Sequence, residues 1–94
     1  MALARVVSFE GVSQDRMEQL SRELSEGERP DEVPATEFIL LHDPDAERSL
    51  AIVFFENEDD YRRGHEALDA MPAGETPGQR VDVQKYNVAG RMTA

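Results

Sequence analysis

Few side chains in this sequence can do chemistry near neutral pH. His65 stands out. It recurs with Tyr61, Leu68 and Met71 at i, i+4, i+7 and i+10, which puts an imidazole on the apolar stripe of a helix. A neutral imidazole so placed can serve as general base, proton donor or axial haem ligand. It can equally be a core histidine whose nitrogens are satisfied by protein groups. Arg5, in an apolar stretch near the start of the chain, can hold a carboxylate or phenolate, or lie at a sheet edge in solvent. Tyr86 and Tyr61 carry hydroxyls that can orient a ligand in an otherwise apolar pocket; the same rings can pack with their hydroxyls outward. His42 adjoins Asp43 at a turn, where solvation at the rim is the simpler account.

Glu56, Glu58, Asp59 and Asp60 form the densest acidic run. Carboxylates bind hard cations, but the spacing is not that of an EF-hand loop, and negative charge is favourable in itself at a helix N-terminus. No metal site is assigned. The chain has no cysteine, which removes disulfide scaffolds, zinc–thiolate sites, iron–sulfur clusters and thiol nucleophiles. It also lacks a Ser-His-Asp order, a phosphate-binding glycine loop, and HExxH.

The whole-chain numbers narrow the partners. With 94 residues the length suits one domain, and 20 acidic against 10 basic residues give a net charge of −10. That balance disfavours nucleic acid, which needs clustered Lys and Arg, and anionic membrane surfaces. No apolar run approaches the roughly 18 residues of a membrane span. Met1 to Val7 lacks the longer apolar core of a signal peptide, so a cytoplasmic protein is expected.

Six elements must position these residues. Leu3–Glu10, rich in Val and Phe, reads as a strand. Ser13 is a helix N-cap with Asp15 in the first turn. Met17, Leu20 and Leu24 then carry one apolar stripe, and Gly27, Pro30 and Pro34 end it, which predicts a helix over 14–26. Glu37–His42 and Ser49–Phe55 are apolar runs joined by Asp43-Pro44-Asp45 turn chemistry, an antiparallel hairpin. Asn57 caps a second helix and Pro72 stops it. Arg80–Val88 is the last strand; its apolar phase changes between Val83 and Tyr86, which suggests a β-bulge or a strand buried on both faces. The loops 27–34 and 72–79, with their Gly and Pro, could gate access to a site. The order β-α-β-β-α-β is the ferredoxin-like, split βαβ pattern: an α+β fold with a four-stranded antiparallel sheet and two helices on one face.

In such a fold the bare face should be polar, and the strands should alternate. Residues 38–41 and 50–55 do not alternate. Leu50, Ile52 and Phe54 point one way, Ala51, Val53 and Phe55 the other, and no spare segment is available to cover the second face. A second copy of the chain is the economical cover. Burying about five large side chains at roughly 1.5–3 kcal/mol each yields on the order of 10 kcal/mol per subunit before association costs. A homodimer built sheet to sheet is therefore expected.

The segment order, the stretch Ala51-Ile-Val-Phe-Phe-Glu-Asn-Glu-Asp-Asp-Tyr61 and the ending Val83-Gln-Lys-Tyr-Asn-Val88 resemble the dimeric α+β barrel superfamily, and within it the antibiotic-biosynthesis-monooxygenase-like (ABM-like) domains. The resemblance covers nearly the whole chain and implies a homodimer whose two sheets form a barrel. It also implies a pocket in each subunit between sheet and helices. Activities in that superfamily include cofactor-independent oxygenation of polyketide quinols, haem degradation, small-lactone isomerisation and non-catalytic roles. His65 falls where the haem-degrading members place a helix histidine. Phe55 stands about where they place a Trp, and the first strand has no Asn, so no haem or other cofactor is assigned. On the resemblance, the expected function is binding of a small apolar or aromatic molecule, as in a monooxygenase-like or isomerase-like enzyme. His65 would be the proton-transfer group or ligand contact, Tyr86 and Arg5 would orient the ligand, and Phe9, Phe38 and Phe54 would form the walls. The alternative is a non-catalytic assembly or regulatory module of the same fold. An RNA-recognition module shares the order of elements but needs exposed aromatics in a basic surround, which a charge of −10 does not provide.

Overall fold

The computed structural model describes residues 2–26, 33–70 and 78–92. Its elements run β1 (Leu3–Glu10), α1 (Gln14–Glu26), β2 (Glu37–Asp43), β3 (Arg48–Phe55), α2 (Glu58–Asp69) and β4 (Gln79–Asn87). The strands form one sheet in the order β2-β3-β1-β4, with every neighbouring pair antiparallel. The molecule is thus α+β with an open antiparallel sheet, compatible with a ferredoxin-like fold. The loops read as gates, 27–34 and 72–79, fall largely outside the described residues, as do Met71 and Pro72. No described helix is long and apolar enough to cross a membrane.

Local chemistry sets the boundaries. The Ser13 hydroxyl accepts the Arg16 N–H at 3.2 Å at the start of α1, and the Asn57 side-chain oxygen accepts the Asp60 N–H at 2.8 Å at the start of α2. In the β2–β3 turn, one Asp43 carboxylate oxygen takes the N–H groups of Asp45 and Ala46, so the chain reverses without losing its donors. The last strand does carry a bulge, but earlier than the apolar phase change between Val83 and Tyr86: Ser8 pairs with Asp82 and Phe9 with Arg80, leaving Val81 unopposed. Val83 and Tyr86 lie on opposite faces by ordinary alternation after that extra residue.

The two faces of the sheet have different fates. Leu3, Arg5, Val7 and Phe9 of β1 and Ser49, Ala51, Val53 and Phe55 of β3 share the helix-covered face, and all eight are buried. Phe55 lies under Gly64 of α2, where a Cβ would overlap its ring. Tyr61 meets Phe55 edge-on at 5.4 Å between ring centroids. α1 docks mainly through Met17, which packs with Val7, Phe9, Val12 and Ala51. Its stripe fades along the helix, and Leu24 is 42 % exposed. On the opposite face, Val6, Leu50, Ile52 and Phe54 are only half-buried, as is Ile39 of β2.

Candidate functional site

Arg5 is buried, at 4 % exposure, in the middle of the sheet rather than at its edge. An isolated guanidinium there would be very costly, so its donors must be met. Its Nε donates to Nδ1 of His65 at 3.1 Å, and its Nη2 reaches Asp69 Oδ1 at 3.4 Å. Asp69 also accepts Arg80 Nη1 at 2.7 Å. The His65 Nε2 stands 3.5 Å from the second Asp69 oxygen. Because Nδ1 accepts, the ring carries its proton on Nε2, facing Asp69. Tyr61 stacks on His65 with centroids 5.9 Å apart and planes 12° from parallel. Lys85 lies 5.0 Å from the Tyr61 ring centre and pairs with Glu58 at 2.8 Å.

The electrostatics follow from this packing. Burial pulls the Arg5 pKa below its ordinary value, and Asp69 opposes that pull. The hydrogen bond from Arg80 is the largest influence and holds the Asp69 carboxyl below the usual range; burial, the next largest, opposes it, and the charges of Arg80 and Arg5 add to the lowering. Burial pushes the Tyr61 hydroxyl upward, against the neighbouring charges of Arg5 and Lys85. The cluster ties β1, α2 and β4 together, and both His65 nitrogens face protein partners.

The six residues singled out in the sequence do not meet at one place. Arg5 and His65 are in contact. Phe9 is in the core between α1 and the sheet. Phe38 is on the edge strand β2, on the helix side and 36 % exposed. Tyr86 and Phe54 flank Ala4 on the opposite face of the sheet, across it from Arg5 and His65. His42 clamps β2 to the β1–α1 turn: its Nε2 lies 3.1 Å from the Val12 carbonyl oxygen. In the acidic run, Glu58 holds Lys85 and Asp59 holds Arg62. Among the described residues no group of His, Asp and Glu is arranged to hold a metal.

The other candidate is the open face itself. Val6, Ile39 and Ile52 form one cross-strand row, flanked by Phe54 on one side and by Leu50 and Leu41 on the other. Leu41 is 48 % exposed and Tyr86 55 %. Among the described residues, the segment after β4 reaches this face at one end. The Val88 N–H donates to the Ala2 carbonyl at 2.9 Å, and the Arg91 guanidinium lies 4.8 Å over the Phe54 ring and pairs with Glu37. A groove at the other end is lined by Ser8, Leu41 and Leu50 with Glu10, Asp43 and Asp82. A second groove, between α1 and the β2–β3 turn, is lined by Met17, Ser21, Arg22 and His42. Arg5 and His65 line neither. Sequence reasoning missed Asp69, Arg80 and Arg91; only Asp69, four residues after His65 on the same helix, carries a sequence signal, its helical spacing.

Comparison with known proteins yields no match to this chain among protein-family models, curated proteins or solved structures.

Proposed function

We propose that this chain is a non-catalytic assembly module, of the dimeric α+β barrel kind, that associates with a second copy through the open face of its sheet. One observation carries the reading: among the described residues an apolar surface running across β2, β3 and β1 has no covering element beyond Arg91 over Phe54, while both helices lie on the opposite face. The dimensions fit. Four strands about 4.8 Å apart, each presenting about seven residues at roughly 3.3 Å, make a face near 19 × 23 Å. Two such faces stacked at the usual ~10 Å bury roughly 900 Å², the weak end of specific association. A small-molecule role at Arg5 and His65 has less behind it, because their polar atoms are already engaged by each other and by Asp69.

Sedimentation velocity at micromolar concentration tests this. The expected particle has twice the 10.6 kDa chain mass. A well-folded species at the single-chain mass removes the proposal. Stabilisation by several degrees on adding a quinol, an aromatic acid or haem would restore the ligand-binding reading instead.

A further inference from the structure

The open face is electrically lopsided. At one end the register places Arg48 between Glu10 and Asp43, and Asp82 stands beside Ser8 close by. Three carboxylates there face one guanidinium. At the other end Arg91 and Glu37 cancel, and the remaining groups are Phe54, Ala4 and the Tyr86 phenol. Between the two ends lies the Val6, Ile39 and Ile52 row, two residues along each strand from either side.

Two face-to-face packings bury most of that central row. A two-fold axis running along the strands keeps the strands of the two copies parallel and sets acidic end on acidic end. A two-fold axis running across the strands makes them antiparallel and sets the acidic end of one copy on the Arg91 and Tyr86 end of the other. Charge separates the two, since the acidic end is repelled by its own copy in the parallel packing and meets the neutral Arg91–Glu37 end in the antiparallel one. Resting on the self-association reading above, we propose that the two copies pack with antiparallel strands about a two-fold over Val6, Ile39 and Ile52. Tyr86 of each copy then lies over Asp82 of the partner subunit, and Arg91 lies toward Asp43 of the partner subunit. The same rotation seats Phe54 against Leu50 of the partner subunit, filling the groove at the acidic end.

The absence of cysteine from the chain makes a crosslinking test clean. Single-cysteine variants Tyr86→Cys, Asp82→Cys and Leu41→Cys are mixed in pairs and treated with a short bismaleimide, which suits sheets standing ~10 Å apart. The antiparallel arrangement predicts a strong crosslinked product from the Tyr86→Cys and Asp82→Cys mixture. It predicts at least tenfold less from Leu41→Cys with Asp82→Cys, the pair that the parallel arrangement brings together. Charge placement gives a second readout: Tyr86→Glu, which sets a carboxylate over Asp82 of the partner subunit, weakens association at least tenfold, and adding Asp82→Lys as a double reversal restores it to within about threefold. If the chain sediments as a dimer but the Leu41 and Asp82 pair crosslinks preferentially, or the double reversal fails to rescue, the antiparallel arrangement is wrong and self-association stands. If the unmodified chain is a monomer at 100 µM, both readings fall together.

Discussion

Arg5 donates from Nε to Nδ1 of His65 at 3.1 Å, joining a central strand to a helix across 60 positions of sequence. The histidine is thereby an acceptor for a buried cation, and its role is to satisfy Arg5. Removing the acceptor should therefore hurt more than removing the cation. His65→Ala leaves the Arg5 Nε unpaired and takes away the ring stacked on Tyr61, at a cost of about 1–3 kcal/mol. Arg5→Met removes the charge and its requirement together and keeps most of the volume, so it should stay within about 1 kcal/mol of the parent. Urea unfolding of both variants gives the comparison; the reverse ranking would show that the Arg5 charge itself holds the fold.

Stability should depend on pH at both extremes, with opposite origins. The Asp69 carboxyl is held below its ordinary pKa by Arg80. The unfolded chain therefore takes up this proton first as pH falls, and the stability that Asp69 contributes is present above the ordinary carboxylate pKa and lost as pH drops through its lowered folded value. The Tyr61 hydroxyl is raised by burial. Its contribution is intact below the ordinary tyrosine pKa of about 10 and is lost as pH rises through the raised folded value. In urea midpoints recorded against pH, Asp69→Asn should flatten the acid limb and Tyr61→Phe the alkaline one. Unchanged limbs would mean that neither group is perturbed in solution.

Gly64 lets α2 sit directly on Phe55, whose ring is fully buried. Alanine is the better helix former by roughly 1 kcal/mol, yet its methyl would collide with a ring that has nowhere to go, which costs typically 1–3 kcal/mol. Gly64→Ala should be net destabilising by up to about 2 kcal/mol, read as a drop in thermal midpoint. A stabilised variant would show that α2 can lift off Phe55 without loss.

Ser49 presents the opposite case. It is buried beside Phe9 and His42 in the register, and its hydroxyl oxygen finds no hydrogen-bond partner. A buried unmatched hydroxyl costs roughly 1–3 kcal/mol. Ser49→Ala should therefore leave stability unchanged or raise it by up to about 1 kcal/mol. A loss beyond that would reveal a bond to Ser49 that forms in solution.

What could be read from the chain beforehand follows from the range of the forces involved. Ser13, Asn57 and the Asp43 turn act over three or four residues, and the elements they bound were legible from them. The two-sided apolar character of Leu50–Phe55 was equally local, because strand alternation sorts those side chains without knowledge of the partners. The placement of the site residues was not local. Whether Tyr86 shares a face with Arg5 depends on the register of β4 after the bulge at Val81, and that register places it beside Ala4 on the other side. Arg5 looked like an edge residue because nothing near it in sequence balances its charge; its partners His65, Asp69 and Arg80 arrive only when α2 and β4 dock. The stripe on α1 was legible, but its depth of burial was not: Met17 is buried while Leu24, on the same stripe, is exposed.

The open face yields the last prediction. Ile52 lies between Val6 and Ile39 at the centre of that face, so an aspartate there places a carboxylate where the two copies meet. Ile52→Asp should weaken self-association at least a hundredfold, since an unpaired charge at a desolvated centre is far costlier than a lost methyl contact. The same substitution in a single chain meets water and should leave helix content unchanged by circular dichroism. Salt supplies a second lever. Each copy carries −10, and raising ionic strength from about 0.1 M to 1 M shortens the screening length from about 10 Å to about 3 Å. Long-range repulsion between copies is then screened while apolar burial persists, so the dimer should tighten. Sedimentation equilibrium across that range measures it. Dissociation at high salt would mean that ion pairs, and not the Val6, Ile39 and Ile52 row, hold the copies together.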